Sequence, residues 1–352
     1  MKERQSNFEL LRIIAILMVV LYHANYHSLG YPVRDDILAA PWTIFWRALA
    51  EQVCVAGVNI FILISGWFGI NPSVKKFCSL LFQVLFYGVV AIAIGLLAGW
   101  EIPVRSCLKV FYFGGKYWFV IAYFVLFILS PVLNSFVENS PPRRILAVIA
   151  CFFAAEFIYD WLASMGTWYR GFSAISFFGL YLLARFLRLY SKKLKYAGVS
   201  FHLIVYSLMT LIPTVISYLG IRNGWNQLNP RAYTSPFIIA AAVSLLLCFS
   251  QLEFSSKFVN WIAGAAFSVY LLHVNPVIFP HFKQAALSLS LSLTPLTYTL
   301  AACLLAVVLL LVCAVFDRIR IGCWKATCSL FLDKAINKFE LIFNKLMSRL
   351  GY

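Results

Sequence analysis

Residues 8–29 read FELLRIIAILMVVLYHANYHSL. As a helix rising about 1.5 Å per residue, this run is long enough to cross the roughly 30 Å hydrocarbon core of a bilayer. Blocks of similar length and character follow at 52–70, 77–98, 117–136, 145–163, 172–190, 200–220, 235–250, 258–280 and 297–316, ten in all. No stretch alternates apolar and polar residues over about ten positions, as a transmembrane barrel strand would. The pattern predicts an all-α, polytopic membrane protein. Lys2 and Arg4 ahead of the first block imitate a secretory signal, but Arg12 and His23 interrupt the apolar run and no small-x-small site follows, so the block reads as a span.

Composition agrees. Of the 352 residues 62% are apolar and 12% charged, against about 45–50% and 25% in soluble domains. The 32 Phe, 18 Tyr and 10 Trp exclude an intrinsically disordered chain. A formal net charge of +16 would suit a polyanion binder, but Lys and Arg sit in short clusters between apolar blocks. That is a topology signal rather than a nucleic-acid footprint. With the N-terminus cytoplasmic, Lys75, Lys76, Arg143, Arg144, Arg185, Arg188, Lys192, Lys193, Lys195, Lys257 and the basic tail all fall inside. The positive-inside rule then predicts N-in and C-in, with an even number of helices. Loops 30–51, 99–116, 164–171, 221–234 and 281–296 fall outside. The nine cysteines include no C-x-x-C pair and lie mostly in apolar blocks, so they suggest neither a disulfide framework nor a zinc site.

Ionisable groups inside spans are expensive and mark sites by default. Arg12 and His23 are eleven positions apart, close to three full turns, so they share one helix face about 16 Å apart. Glu9 can pair with Arg12 at i, i+3. His23 lacks a local carboxylate, and a near-neutral imidazole near the outer end of a helix suits proton abstraction from a hydroxyl nucleophile. Packing with a backbone hydrogen bond is the plain alternative. His23 and His27 at i, i+4 make a poor metal pair, because the Glu of H-E-x-x-H and a third ligand are missing.

These residues carry a resemblance. Residues 7–23, NFELLRIIAILMVVLYH, resemble the first helix of the bacterial acyltransferase-3 family of membrane O-acyltransferases, with Arg12 and His23 in its R-x10-H spacing. Residues 58–67 (VNIFILISGW) resemble the family's second helix, residues 117–123 (YWFVIAY) through 131–134 (PVLN) its middle segment, and residues 268–273 (SVYLLH) its late segment. The order is the family's, and the similarity spans roughly residues 1–316. The resemblance implies a ten-helix fold in which acetyl-CoA enters from the cytoplasm and its acyl group reaches a carbohydrate hydroxyl on the far side. It implies His23 at the reaction centre and Arg12 supporting the donor. Where many members carry R-x-x-R near the third helix, this chain has Lys75 and Lys76, which neutralise nucleotide phosphates without an arginine's bidentate fork.

Other polar residues in or near spans are candidates for the acceptor side. Glu156 and Asp160 share a face near the outer end of the fifth block; they either bind sugar hydroxyls or pair with Arg170 or Arg222. Glu51 and Asn59 line the same cavity or serve structure. His273, in the late segment, either bonds across helices or takes part in the chemistry. Trp118, Trp168 and Tyr169 belong to an interfacial aromatic belt or stack on a sugar ring. Lys192 to Lys195 set topology or bind anionic lipid.

Two segments result: a transmembrane acyltransferase domain, 1–316, and a basic tail, 317–352. The tail repeats apolar residues with helical spacing from Trp324 to Leu350 and should lie as an amphipathic helix on the cytoplasmic leaflet. The expectation is thus an O-acetyltransferase of the bacterial cytoplasmic membrane. It would use acetyl-CoA and no metal, acting on a cell-surface polysaccharide or its lipid-linked precursor. The rival is a transporter or exporter of an acylated or saccharide substrate built on the same helices. The sequence does not fix the oligomeric state.

Overall fold

The computed structural model describes residues 5–113, 117–166, 169–190, 197–225, 231–336 and 338. Lys2, Arg4, Trp168, the Lys192 to Lys195 cluster and the tail beyond 338 lie outside these. In chain order the helices are α1 (Ser6–Tyr22), α2 (Arg34–Ala39), α3 (Pro41–Cys54), α4 (Gly57–Phe68), α5 (Val74–Leu97), α6 (Val104–Phe111), α7 (Trp118–Glu138) and α8 (Pro142–Ala155). They continue as α9 (Ala174–Tyr190), α10 (Val199–Asn223), α11 (Pro236–Phe249), α12 (Lys257–Ala263), α13 (Ala266–His273), α14 (Phe279–Ser292) and α15 (Pro295–Trp324). Among the described residues, seven helical segments are long and apolar enough to cross a membrane: Ser6–His27, Pro41–Phe68, Val74–Leu97, Trp118–Glu138, Pro142–Leu162, Val199–Asn223 and Pro295–Ile336.

The architecture is the expected all-α, polytopic one, but several boundaries differ from the hydropathy blocks. Residues 41–51, assigned to an outer loop, belong to α3, which joins α4 in one 28-residue run. Arg47, Glu51 and Gln52 lower the apolar signal there, yet Glu51 is fully buried because Arg47 and Arg231 neutralise it. Block 258–280 is not one helix. The chain turns at Gly264–Ala265 between α12 and α13 and again after His273, where Pro276 lacks the N–H a helix needs. α14 occupies most of the predicted loop 281–296. α15 runs on past residue 316, so the helix continues from the membrane segment into the predicted tail.

α1 is the central helix, packed against α3, α4, α11, α12, α13 and α15. Its Leu11, Ala15 and Ile16 are fully buried. Small residues set the spacing. A Cβ on Gly57 would sit 2.7 Å from the Ala15 carbonyl oxygen, and one on Gly66 would sit 2.5 Å from the Tyr181 carbonyl oxygen. α4 is therefore wedged between α1 and α9 at backbone contact distance. At one end of the molecule Phe8 packs on Trp67 and Phe68, Arg188 lies over both rings, and Asn7 and Ser6 bond to Phe249 and Asn260. At its opposite end α1 loosens into a π-helical turn, His23–His27. Such turns are uncommon and recur at functional sites.

Candidate active site

A cavity of about 750 Å³ runs alongside α1 and is lined by Arg12, Ile16, Val19, His23 and His27 from that helix. The helical repeat that puts Arg12 and His23 on one face thus puts them on one wall of one cavity. Arg12 donates to Glu9 at 2.6 Å, the expected i, i+3 pair. Ser65 of α4 and Gln83 of α5 add polar groups along the way. Trp118, Phe119, Tyr169, Phe172, Tyr233 and Tyr270 give the cavity an aromatic wall. The turn between α12 and α13 contributes Ala263, Gly264 and Ala266, whose small side chains leave the space open.

At the end of the cavity away from Arg12, His23 belongs to a histidine pair. His23 Nδ1 lies 2.8 Å from His273 Nε2, and His273 Nδ1 lies 2.7 Å from the Val269 carbonyl oxygen. The carbonyl can only accept, so His273 carries its proton on Nδ1. A neutral His273 then offers a bare Nε2, which accepts a hydrogen bond from the Nδ1–H of His23. The basic nitrogen of His23 is left as Nε2, the tautomer a general base requires. His273 is 1% exposed and is not part of the cavity lining, so it stands behind His23.

Glu51, Asn59 and Asp160 converge on one short segment. Glu51 meets Arg231 Nη2 at 3.1 Å, Asn59 Nδ2 donates to the Tyr233 carbonyl at 3.0 Å, and Thr234 Oγ1 donates to Asp160 at 3.0 Å. The Tyr233 amide in turn donates to the Arg170 carbonyl at 3.1 Å. Residues Arg231–Ser235 are thereby fixed from several sides, and Tyr233 is the member of this set that lines the cavity. Glu51, Asn59 and Asp160 stand behind that wall. Glu156 accepts from Ser176 Oγ at 2.6 Å, which ties the π-helical segment Glu156–Leu162 to α9.

Lys75 and Lys76 lie away from the cavity lining. Lys75 Nζ is 2.8 Å from both oxygens of Asp333, and Lys76 Nζ is 2.6 Å from the Asn71 carbonyl. Gln83 and Tyr233 line the cavity although neither was a candidate from the sequence, whereas Ser65 lies in a stretch that carries the resemblance. An amide in the middle of the apolar run of α5 was a signal for Gln83; nothing in the sequence announced that Tyr233 would fold back against α7.

A family model for an acyltransferase domain of the acyltransferase-3 type matches residues 5–317. The chain belongs to this acyltransferase family. It is a membrane-embedded acyltransferase, and the exporter reading gives way to the enzyme. No curated protein and no solved structure matches the chain. The stretches that carry the resemblance surround the cavity. Ser65 and Trp118 line it, Gly66 seats α4 on α9, and Tyr117 donates to the Leu271 carbonyl at 2.8 Å, bracing the helix that bears His273.

Proposed function

We propose that this acyltransferase moves an acetyl group from cytoplasmic acetyl-CoA to a hydroxyl of a cell-surface polysaccharide or its lipid-linked precursor, in the bacterial cytoplasmic membrane. One observation carries the reading: a single cavity has Arg12 on its wall about three helical turns from His23, a span of roughly 16 Å. A narrow acyl thioester arm fits that length. Arg12 supports the anionic donor near the basic end of the molecule, with Lys75 and Lys76 available to its nucleotide phosphates once Lys75 leaves Asp333.

His23 Nε2 takes the proton of the acceptor hydroxyl as its oxygen forms the new bond to the thioester carbonyl carbon. The carbon–sulfur bond then breaks, the sulfur keeps the bonding electron pair, and the proton held by His23 returns to it as thiol. His273 holds the imidazole in place through both states. The aromatic wall excludes water, which would otherwise compete with the acceptor for the acyl group. Tyr233 and Trp118 offer ring faces to a sugar, with Glu51, Asn59 and Asp160 acting through the wall they fix and Glu156 holding the segment that bears Asp160.

The test is transfer of labelled acetyl from acetyl-CoA into envelope carbohydrate, in membranes with and without the chain. Label confined to membranes containing the chain is the expected result. Equal labelling in both, or label recovered only as free acetate, contradicts the proposal.

A further inference from the structure

Gln83 is a polar group on the cavity wall that the mechanism above does not use. It is 7% exposed, on α5, and a chain of hydrogen bonds fixes the direction of its amide. Asp317 accepts from Arg320 Nε at 2.6 Å and Nη2 at 3.1 Å, and from Ser268 Oγ at 2.9 Å. Having given its single proton to the carboxylate, the Ser268 hydroxyl has only lone pairs left for Gln83. Gln83 therefore presents its NH2 to Ser268, at 2.9 Å. Among the described residues the side-chain carbonyl Oε1 has no donor, and Gln83 lines the cavity. The buried ion pair and the serine thus turn one hydrogen-bond acceptor toward the cavity.

Its depth identifies what it meets. Ser268 and His273 are five residues apart on α13, so Gln83 contacts that helix about 7.5 Å along the axis from the histidine pair. That is between Arg12 and His23, where the arm of the donor must pass and where the acceptor, arriving from the other end, does not reach. A fixed acceptor at that depth calls for an N–H donor on a narrow chain. The arm of an acyl-CoA carries secondary amides between its thioester and its nucleotide.

We propose that Gln83 is a donor-binding residue. Its carbonyl accepts a hydrogen bond from an amide N–H of the acyl-CoA arm, and Ser268 and Asp317 are positioning residues that aim it. This rests on acetyl-CoA being the donor. A donor thioester lacking that N–H, or one bound to a chain lacking the Gln83 carbonyl, would lose the same single contact.

The experiment is equilibrium binding to the full chain in lipid nanodiscs, using labelled acetyl-CoA and two analogues in which one or the other arm amide is replaced by an ester. Exchange of N–H for O keeps the shape and removes the donor. Wild type should bind one of the analogues roughly three- to tenfold more weakly than acetyl-CoA, the range for one neutral hydrogen bond. Gln83→Met should already show that loss with acetyl-CoA and should treat the three donors alike. Ser268→Ala, which keeps the carbonyl but frees the amide to rotate, should discriminate less than wild type; it serves also if the Met variant does not fold. The proposal is overturned if wild type binds all three donors alike, or if Gln83→Met discriminates as wild type does. Wild type binding none of them would overturn the donor assignment itself.

Discussion

In the proposed mechanism His23 is a base that His273 holds ready. A lone imidazole has two tautomers, and the wrong one presents an N–H to the hydroxyl it should deprotonate. The Val269 carbonyl removes that choice by fixing the proton of His273, which in turn fixes that of His23. His273→Leu should therefore slow turnover by about tenfold or more while leaving donor KM nearly unchanged, since general-base contributions of this kind are of the order of two to four decades. His273→Gln, whose side-chain carbonyl can accept from His23 Nδ1, should recover part of the rate. Steady-state kinetics on the three proteins check this order; equal kcat for the Leu and Gln variants would show that the second histidine acts by packing alone. At this scale the sequence was partly legible. The Arg12–His23 face and the Glu9 pair follow from helical periodicity within one segment. The His23–His273 contact joins residues 250 positions apart, and no local pattern encodes it.

The elements owe their placement to small residues and to buried charge. Gly66 allows α4 and α9 to touch, and an added Cβ would stand 2.9 Å from that of Ala184 as well as against the Tyr181 backbone. Backbone cannot swing aside as a long side chain can. Gly66→Val should destabilise the chain by about 1–3 kcal/mol, the usual range for overpacking. The thermal unfolding midpoint in detergent would fall by several degrees, and an unchanged midpoint would show that the contact is slack. Hydropathy revealed the long spans because lipid-facing helices must be apolar nearly all round. It missed α3, whose Arg47 and Glu51 look like loop residues until Arg231 arrives from far along the chain. It also merged α12 and α13, since the turn at Gly264–Ala265 is made of apolar or neutral residues that leave no mark on a hydropathy profile.

On the scale of the whole molecule, the direction of the cavity is the functional statement. One end gathers Arg12, Arg188, Lys257 and the helix end bearing Arg318 and Arg320; the other gathers His23, His27, Tyr169 and Tyr233. The charge asymmetry supports a cytoplasmic basic end, since basic residues near short loops are retained inside. In the proposed function the donor enters at the basic end and the acceptor meets it at the histidines, so that the acyl group travels about half the hydrocarbon thickness while its nucleotide carrier stays behind. The most direct test uses inside-out membrane vesicles, with labelled acetyl-CoA outside, at the cytoplasmic face, and acceptor carbohydrate in the lumen. Label should appear in the lumenal carbohydrate and fall by about two to four orders of magnitude in His23→Gln. Transfer at the wild-type rate by that variant, or label appearing only on carbohydrate at the donor's own face, would contradict it.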